Sequence, residues 1–249
     1  MRLLLIGGSG LVGCLIIPYL NQDHQIVVYD LNRPAGELGV EYRAGSVEDF
    51  DSLRAAMDGI DAVVYLAMNP KQDWGSVPTS ALAFDINVKG LYLAWWAAAE
   101  AGVEHGVHAS TMSVYRARPE GYPDETTPPD AQEFYGFTKA LGEQVCRHAT
   151  EHRGLSINSL RLCHPTADDR WPVPGDSLDA IISTRAGDVA AAVEAALHHR
   201  DGHQVFTVSG DLDQRKTNWG KAERELGWRP TAPGKISRSG VARPHSDQA

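Results

Sequence analysis

The sequence predicts an α/β protein built on a doubly wound parallel sheet. Short apolar segments of strand length alternate along the chain with segments of helical periodicity, a pattern typical of parallel strands with helices on both faces. A glycine-rich turn directly follows the first apolar segment. Hydrophobic residues make up 43% and charged residues 22% of the 249 residues, which favours a packed core over disorder.

The predicted elements follow one another in the order that right-handed crossovers require. Strands are predicted at 2–6, 25–29, 40–44, 62–66, 105–109, 156–162 and 204–208. Helices are predicted at 11–20, 49–57, 80–101, 134–153, 186–198 and 215–226. This arrangement divides the chain into a core at 1–162, a small region at 163–230 interleaved with it, and a tail at 231–249 that we expect to be disordered.

Composition and charge exclude several classes of function. The formal net charge of −9 argues against a nucleic-acid partner, because binding a phosphate backbone requires a basic face. The apolar run that begins at Leu3 stops at Gly7, too short for a signal peptide, and no later run has the length of a membrane span. Cys14, Cys146 and Cys163 lie in no metal-ligand or redox spacing. We therefore expect a cytoplasmic protein with no membrane partner and no bound metal.

The glycine turn has the spacing of a dinucleotide-binding loop. Gly8-Ser9-Gly10-Leu11-Val12-Gly13 fits G-x-G-x-x-G, follows a predicted strand and opens a predicted helix. Glycines let the backbone approach a pyrophosphate, and the helix N-terminus offers N–H groups to it. An ordinary glycine turn is the alternative. Asp30, at the end of the second predicted strand, can accept hydrogen bonds from a ribose, which favours NAD over NADP, although Arg33 nearby softens that preference.

A second pattern points to acid–base chemistry. Tyr135 and Lys139 lie four residues apart at the start of a predicted helix, a spacing that places them on one face. A nearby cation stabilises a phenolate, so the pair can take a proton from a substrate hydroxyl. Thr111 follows a predicted strand at the carboxyl edge, where ligands bind in open α/β sheets. A surface Tyr/Lys pair and a helix-capping Thr are the alternatives.

Together these segments resemble the extended short-chain dehydrogenases/reductases, the branch that contains sugar epimerases, dehydratases and dehydrogenases. The resemblance runs from about Arg2 to Pro230, and the small size after Lys139 is similar to uronate dehydrogenases. The matching pieces are the glycine turn, Asp30, Ser46-Val47-Glu48-Asp49, Tyr65-Leu66-Ala67, Asn87-Val88-Lys89-Gly90, Ser110–Tyr115, Tyr135–Lys139, Arg161-Leu162-Cys163-His164-Pro165, Asp188-Val189 and Glu225–Pro230.

The resemblance implies a Rossmann fold, NAD as the cofactor and a homodimer, with the helix around Trp95-Trp96 in the interface. Tyr135 would be the general base, Lys139 would bind the nicotinamide ribose, Thr111 would orient the reacting oxygen, and Asn87 would support the catalytic helix. The implied cofactor-binding residues are Gly7, Gly10, Leu11, Val12, Asp30, Val47, Asp49, Leu66, Ala67, Tyr135 and Lys139. The candidate substrate contacts are Asn69, Ser113, His164 and Arg170, the last as a clamp for a carboxylate.

Three functions remain open from the sequence. The first is an NAD-dependent oxidoreductase that takes hydride from a hydroxyl of a small sugar or sugar acid. The second is a sugar or sugar-nucleotide epimerase or dehydratase that keeps NAD bound. The third is a non-catalytic dinucleotide sensor, which has no need of the Tyr135, Lys139 and Thr111 set.

Overall fold

A computed structural model describes residues 1–36, 38–69 and 76–231. Seven parallel strands form one sheet in the order β3-β2-β1-β4-β5-β6-β9. The strands are β1 Arg2–Ile6, β2 Gln25–Asp30, β3 Glu41–Ala44, β4 Ala62–Tyr65, β5 His105–Thr111, β6 Ser156–Leu162 and β9 His203–Val208, and β7 Pro165–Thr166 pairs with β8 Thr184–Arg185. The helices are α1 Leu11–Leu20, α2 Phe50–Ala56, α3 Val77–Phe84, α4 Leu91–Glu100, α5 Phe134–Arg153, α6 Leu178–Ile182, α7 Ala186–His198 and α8 Gly220–Leu226.

The predicted doubly wound sheet is confirmed. The strand order reverses between β1 and β4, which places a crevice at the carboxyl ends of these two strands. In the region after Leu162, β9 joins the same sheet by pairing with β6. The predicted tail at 231–249 lies outside the described residues, apart from Thr231.

The core consists of one apolar layer on each face of the sheet. Successive strand side chains point to opposite faces, so Leu3 and Leu5 of β1 pack toward α1 and α7, whereas Leu4 and Ile6 pack toward α2 and α4. All four side chains are fully buried. This alternation explains why β1 is apolar from Leu3 to Ile6 and why both faces carry helices.

The helix predicted at 80–101 is interrupted. It consists of α3, a π-helical turn at Asp85–Gly90 and α4. A Cβ on Gly90 would lie 2.6 Å from the side chain of Val47, so glycine allows this turn to pack closely on the segment after β3. Trp95 is buried against the protein's own sheet, whereas Trp96 is only partly buried.

The helix predicted at 215–226 begins later than expected, at Gly220. The carboxylate of Asp211 accepts hydrogen bonds from the backbone N–H groups of Lys216 and Thr217, at 2.6 and 3.0 Å. These bonds hold the preceding segment in a turn, and the predicted start at residue 215 is therefore wrong. Within the described residues no helix is long and apolar enough to span a membrane.

Candidate active site

The glycine turn brings the first crossover close to the strand beside it. Gly7 has φ +80°, a left-handed conformation that favours glycine, and a Cβ there would overlap the backbone of Ala67. A Cβ on Gly13 would overlap the carbonyl of Gly8. Helix α1 begins at Leu11 without a side-chain cap or an acidic residue in its first turn, so its N–H groups are oriented for an anionic ligand.

Asp30 is fixed beside this turn. Its carboxylate accepts hydrogen bonds from the backbone N–H groups of Ser9 at 3.1 Å and Asn32 at 3.2 Å. The guanidinium of Arg33 stacks on the Tyr42 ring, 4.9 Å from its centroid. The Asp30 carboxylate is therefore held in one orientation. The Arg33 guanidinium is held separately, by its stacking on Tyr42.

A single cavity of about 950 Å³ extends from Asp30 to Tyr135. We call the end formed by the glycine turn and Asp30 the cofactor half, and the end formed by Thr111, Tyr135 and Lys139 the reaction half. Fourteen of the predicted site residues line the cavity: Gly7, Gly10, Leu11, Val12, Asp30, Val47, Leu66, Ala67, Asn69, Thr111, Ser113, Tyr135, Lys139 and His164.

The reaction half brings two distant segments together, the end of β5 and the start of α5. Thr111 ends β5 and its hydroxyl accepts a hydrogen bond from the N–H of Ser113 at 3.2 Å. The Tyr135 phenol, on the first turn of α5, interacts with the Thr111 side chain, which lowers the pKa of the phenol. Lys139, one turn later and buried, donates from Nζ to the carbonyl of Ala109 at 2.9 Å.

These features match a known family over most of the chain. The model of the NAD dependent epimerase/dehydratase family matches residues 3–214. The chain belongs to that family. The expectation of an enzyme of the extended short-chain dehydrogenase/reductase type is confirmed by this match.

Individual relatives show how much of each protein is shared. An L-arabinose 1-dehydrogenase (NAD(P)(+)) of Haloferax volcanii is 27% identical, over 92% of this chain and 96% of the relative. A uronate dehydrogenase of Pseudomonas syringae pv. tomato is 23% identical, over 96% and 85%. Among solved structures, MoeE5 in complex with UDP-glucuronic acid and NAD superposes with a TM-score of 0.78 at 20% identity, over 93% of this chain and 94% of that one. The last likeness shows the fold.

The residues of the cofactor half fit the dinucleotide that the family uses. The close-packed glycines leave the backbone exposed along the cavity, the uncapped start of α1 suits a negative group, and Asp30 presents a carboxylate at the far end. Gly7, Gly10, Leu11 and Val12 would hold the phosphates, and Asp30 would hold a ribose.

The electrostatics of Tyr135 differ from the expectation. Burial raises the pKa of Tyr135 to about 12, and the hydrogen bond with Thr111 acts in the opposite direction. The sequence-based expectation was that Lys139 depresses this pKa. Desolvation of the phenol outweighs the favourable groups around it, so the phenol is protonated at neutral pH.

Gly136 was not predicted as a site residue, yet it determines the geometry of the reaction half. A Cβ on Gly136 would overlap the carbonyl oxygen of Ser113. Helix α5 can therefore approach the segment after β5 closely enough for Tyr135 to reach Thr111. The sequence contains the glycine between Tyr135 and Phe137, but only the fold reveals what it touches.

Asn87 lies behind the reaction half, as expected. Its side-chain amide donates to the hydroxyl of Thr138 at 3.1 Å and lies 3.5 Å from Asn69 Oδ1. Thr138 in turn donates to the carbonyl of Tyr135 at 2.9 Å. The π-helical turn thus positions an amide that braces the first turn of α5.

Two predicted site residues do not line the cavity. Asp49 is the N-cap of α2 and accepts a hydrogen bond from the N–H of Ser52 at 3.0 Å. Arg170 is exposed, on a short 3₁₀ turn next to Asp168. Asp168 accepts a hydrogen bond from the hydroxyl of Tyr19 at 2.5 Å, which ties this turn to α1.

The outer wall of the reaction half is largely apolar. It includes Met112, Tyr122 and Ile182, of which Tyr122 was not predicted because it lies in a loop without a motif. His164 has φ +39° and its ring lies 3.1 Å from the Asp179 carboxylate. Within the described residues, no cluster of three or more His, Cys, Asp or Glu side chains is placed to hold a metal ion.

Proposed function

We propose that this protein is an NAD-dependent dehydrogenase that oxidises a hydroxyl of a small free sugar or sugar acid. The observation that carries the proposal is the convergence of Tyr135, Thr111 and buried Lys139 on one cavity that is continuous with the glycine turn. A substrate hydroxyl placed between the phenol and the threonine hydroxyl would contact both groups.

In the proposed reaction, Thr111 holds the substrate oxygen and Tyr135 removes its proton. Lys139 lies on the same face of α5 and stabilises the phenolate as it forms. NAD held by the cofactor half would supply the acceptor for the hydride that leaves the substrate carbon. Because burial raises the pKa of Tyr135 to about 12, the reactive phenolate is scarce at neutral pH. We expect the rate of oxidation to rise as the pH increases from neutral toward that pKa.

Two sugar dehydrogenases among the relatives support a free sugar as the substrate. The alignment with the arabinose dehydrogenase covers 96% of that relative and 92% of this chain. The uronate dehydrogenase alignment covers 85% of its relative.

The cofactor half supports NAD over NADP. The Asp30 carboxylate is held by two N–H groups and would repel a 2′-phosphate. Arg33 is stacked on Tyr42 at the same end of the cavity. It is the side chain that would bind the 2′-phosphate of NADP if the guanidinium moved off the Tyr42 ring.

An epimerase or dehydratase with tightly bound NAD is the second candidate. It is favoured by the family whose model matches residues 3–214, which is described by those two reactions. The same three side chains would serve it, with the hydride returned within one turnover. The dinucleotide-sensor alternative is not retained, because it gives the Tyr135–Thr111 contact no role.

We also propose a cytoplasmic homodimer. Cys14, Cys146 and Cys163 are free thiols, which suits a reducing compartment. Phe84 and Phe137 are 39% and 46% exposed and pack edge to face, with ring centroids 6.2 Å apart, on neighbouring helices. This apolar surface on α3 and α5 would be covered by a second copy, and sedimentation velocity would show a species of twice the monomer mass.

The test is a turnover assay with NAD and a panel of aldoses, uronates and sugar nucleotides. We expect net formation of NADH with a free sugar or a uronate. NAD that co-purifies with the protein, combined with epimerised or dehydrated product and no net NADH, would replace the proposal with the second candidate. No reaction with any panel member and no binding of NAD would refute both.

A further inference from the structure

A buried ion pair lies directly behind the reaction half. Glu143 on α5 and Arg161 on β6 have side chains that are each only 3% exposed. Arg161 donates from Nε to one carboxylate oxygen at 2.9 Å and from its NH2 group to the other at 2.8 Å. Burial of two charges is costly, and replacing such a pair with apolar side chains is often neutral or stabilising. The pair therefore calls for a role other than stability.

One arm of the pair leads to Thr111. The hydroxyl of Ser110, which precedes Thr111 on β5, donates to Glu143 Oε1 at 2.6 Å. Glu143 lies on the same helix as Tyr135. The bond therefore fixes the end of β5 to the helix that carries the phenol, and with it the separation of the threonine and tyrosine hydroxyls.

The other arm leads to the outer wall of the cavity. Arg161 donates from its NH1 group to the hydroxyl of Tyr115, and its guanidinium lies 4.8 Å from the centroid of that ring. The Tyr115 hydroxyl lies 2.7 Å from the carbonyl of Asp124 and 2.8 Å from that of Thr127. Burial raises the pKa of Tyr115 to about 12, so its hydroxyl keeps the proton that it donates to these carbonyls. The loop held in this way carries Tyr122 into the cavity wall.

We propose that the Glu143–Arg161 pair positions two separate parts of the reaction half. Through Ser110 it sets Thr111 against Tyr135, and through Tyr115 it sets the wall that contains Tyr122. This inference rests on the proposed dehydrogenase function. It assigns positioning roles to four residues that do not carry out the chemistry themselves: Glu143, Arg161, Ser110 and Tyr115.

The experiment removes one hydroxyl from each arm and leaves the ion pair in place. Ser110→Ala should lower kcat about tenfold with KM within a factor of two, because a misplaced Thr111 affects the transition state. It should also move the pH profile of kcat to higher pH, since the Thr111 hydrogen bond lowers the pKa of Tyr135. Tyr115→Phe should raise KM about tenfold with kcat within a factor of three, because the loosened wall weakens substrate binding.

The matched controls are Ser156→Ala and Tyr19→Phe. Each removes a hydroxyl that bonds elsewhere, Ser156 to the carbonyl of Gly202 and Tyr19 to Asp168. Both controls should leave kcat, KM and the pH profile unchanged. The proposal would be overturned if kcat and KM changed equally in both test variants. It would also be overturned if thermal stability fell while neither kcat nor KM changed selectively.

A readout that does not depend on turnover separates this inference from the proposed function. If the wild-type protein oxidises no sugar, the proposed function fails, and crystal structures of the wild type and Ser110→Ala test the positioning alone. We expect the Thr111 hydroxyl to lie farther from the Tyr135 hydroxyl in the variant than in the wild type. A threonine in an unchanged position would contradict the inference whatever the activity.

Discussion

The two halves of the cavity are built from the chain in different ways. The cofactor half is formed by neighbouring residues: the glycine turn and Asp30 all come from the first two strands and the helix between them. The reaction half draws Thr111, Tyr135 and His164 from three separate segments. The first half depends on local backbone conformation, and the second depends on how α5 packs against the end of β5. Substitutions in the two halves should therefore affect different measured quantities.

The largest separation is expected for Tyr135→Phe. The phenol is the proposed base, and general acid–base catalysis contributes about 10²–10⁴-fold, so we expect kcat to fall by roughly 10³-fold. NAD affinity, measured by calorimetry, should stay within about threefold because the pyrophosphate contacts and the ribose contact of Asp30 lie in the other half. Equal losses of turnover and NAD affinity would mean that the tyrosine is structural and that the two halves are not separable.

The next largest effect is expected for Gly136→Ala. A Cβ there would overlap the Ser113 carbonyl, so α5 must move away from β5. A displacement of about 1 Å in a catalytic group costs about 100-fold in rate, and we expect kcat to fall by that amount with little change in NAD affinity.

Gly142→Ala is the matched control on the same helix. Its Cβ would lie 3.2 Å from side-chain atoms of His108 and Leu91, which can shift by a few tenths of an ångström. A loss of kcat in Gly142→Ala as large as that in Gly136→Ala would show that α5 tolerates no added methyl group. The overlap with the Ser113 carbonyl would then not explain the effect of Gly136→Ala.

These variants also show why only part of the site is readable from the sequence. The glycine turn and Asp30 form a pattern in consecutive elements, and the alternation of strands and helices predicts where they meet. Tyr135 and Thr111 were predicted as separate signals, but the contact that joins them depends on Gly136 touching Ser113. Glu143 and Arg161 are charged residues within ordinary helix and strand patterns, so their buried pairing is invisible without the fold.

Two predictions made from the sequence differ from the structure. Arg170 was expected to clamp a carboxylate, but its turn is tied to α1 through Tyr19 and Asp168, and the side chain is exposed outside the cavity. The prediction of one long helix at 80–101 did not include the π-helical turn. The residues of this turn are compatible with an ordinary helix, and the close packing of Gly90 on Val47 is visible only in the fold.

In the cofactor half, Gly7→Ala should weaken NAD binding about tenfold. The added methyl group would meet both an unfavourable left-handed backbone and the Ala67 backbone, so the turn must shift away from the phosphates. Gly102→Ala is the control, since Gly102 has a similar φ of +75° with no atom within 4 Å of its Cβ. If both variants lose NAD affinity to a similar extent, the cause is backbone strain and not the contact of the turn with Ala67.

An effect of similar size is expected on the choice between NAD and NADP. Asp30→Ala should weaken NAD by about tenfold, because a charged acceptor is lost, and should leave NADP affinity unchanged or improved. Isothermal titration with both dinucleotides measures the ratio. A ratio equal to that of the wild type would remove the assigned role of the carboxylate, and Arg33→Ala, which should affect only NADP, tests the neighbouring cation.

The central claim is that one substrate oxygen is held by Tyr135 and Thr111 at the same time. A crystal structure of the protein with NADH and the ketone or lactone product of its best substrate tests this directly. We expect the Tyr135 and Thr111 hydroxyls to lie within about 2.6–3.2 Å of the same product oxygen. A product oxygen that contacts neither hydroxyl, or a nicotinamide bound away from the reaction half, would contradict the account.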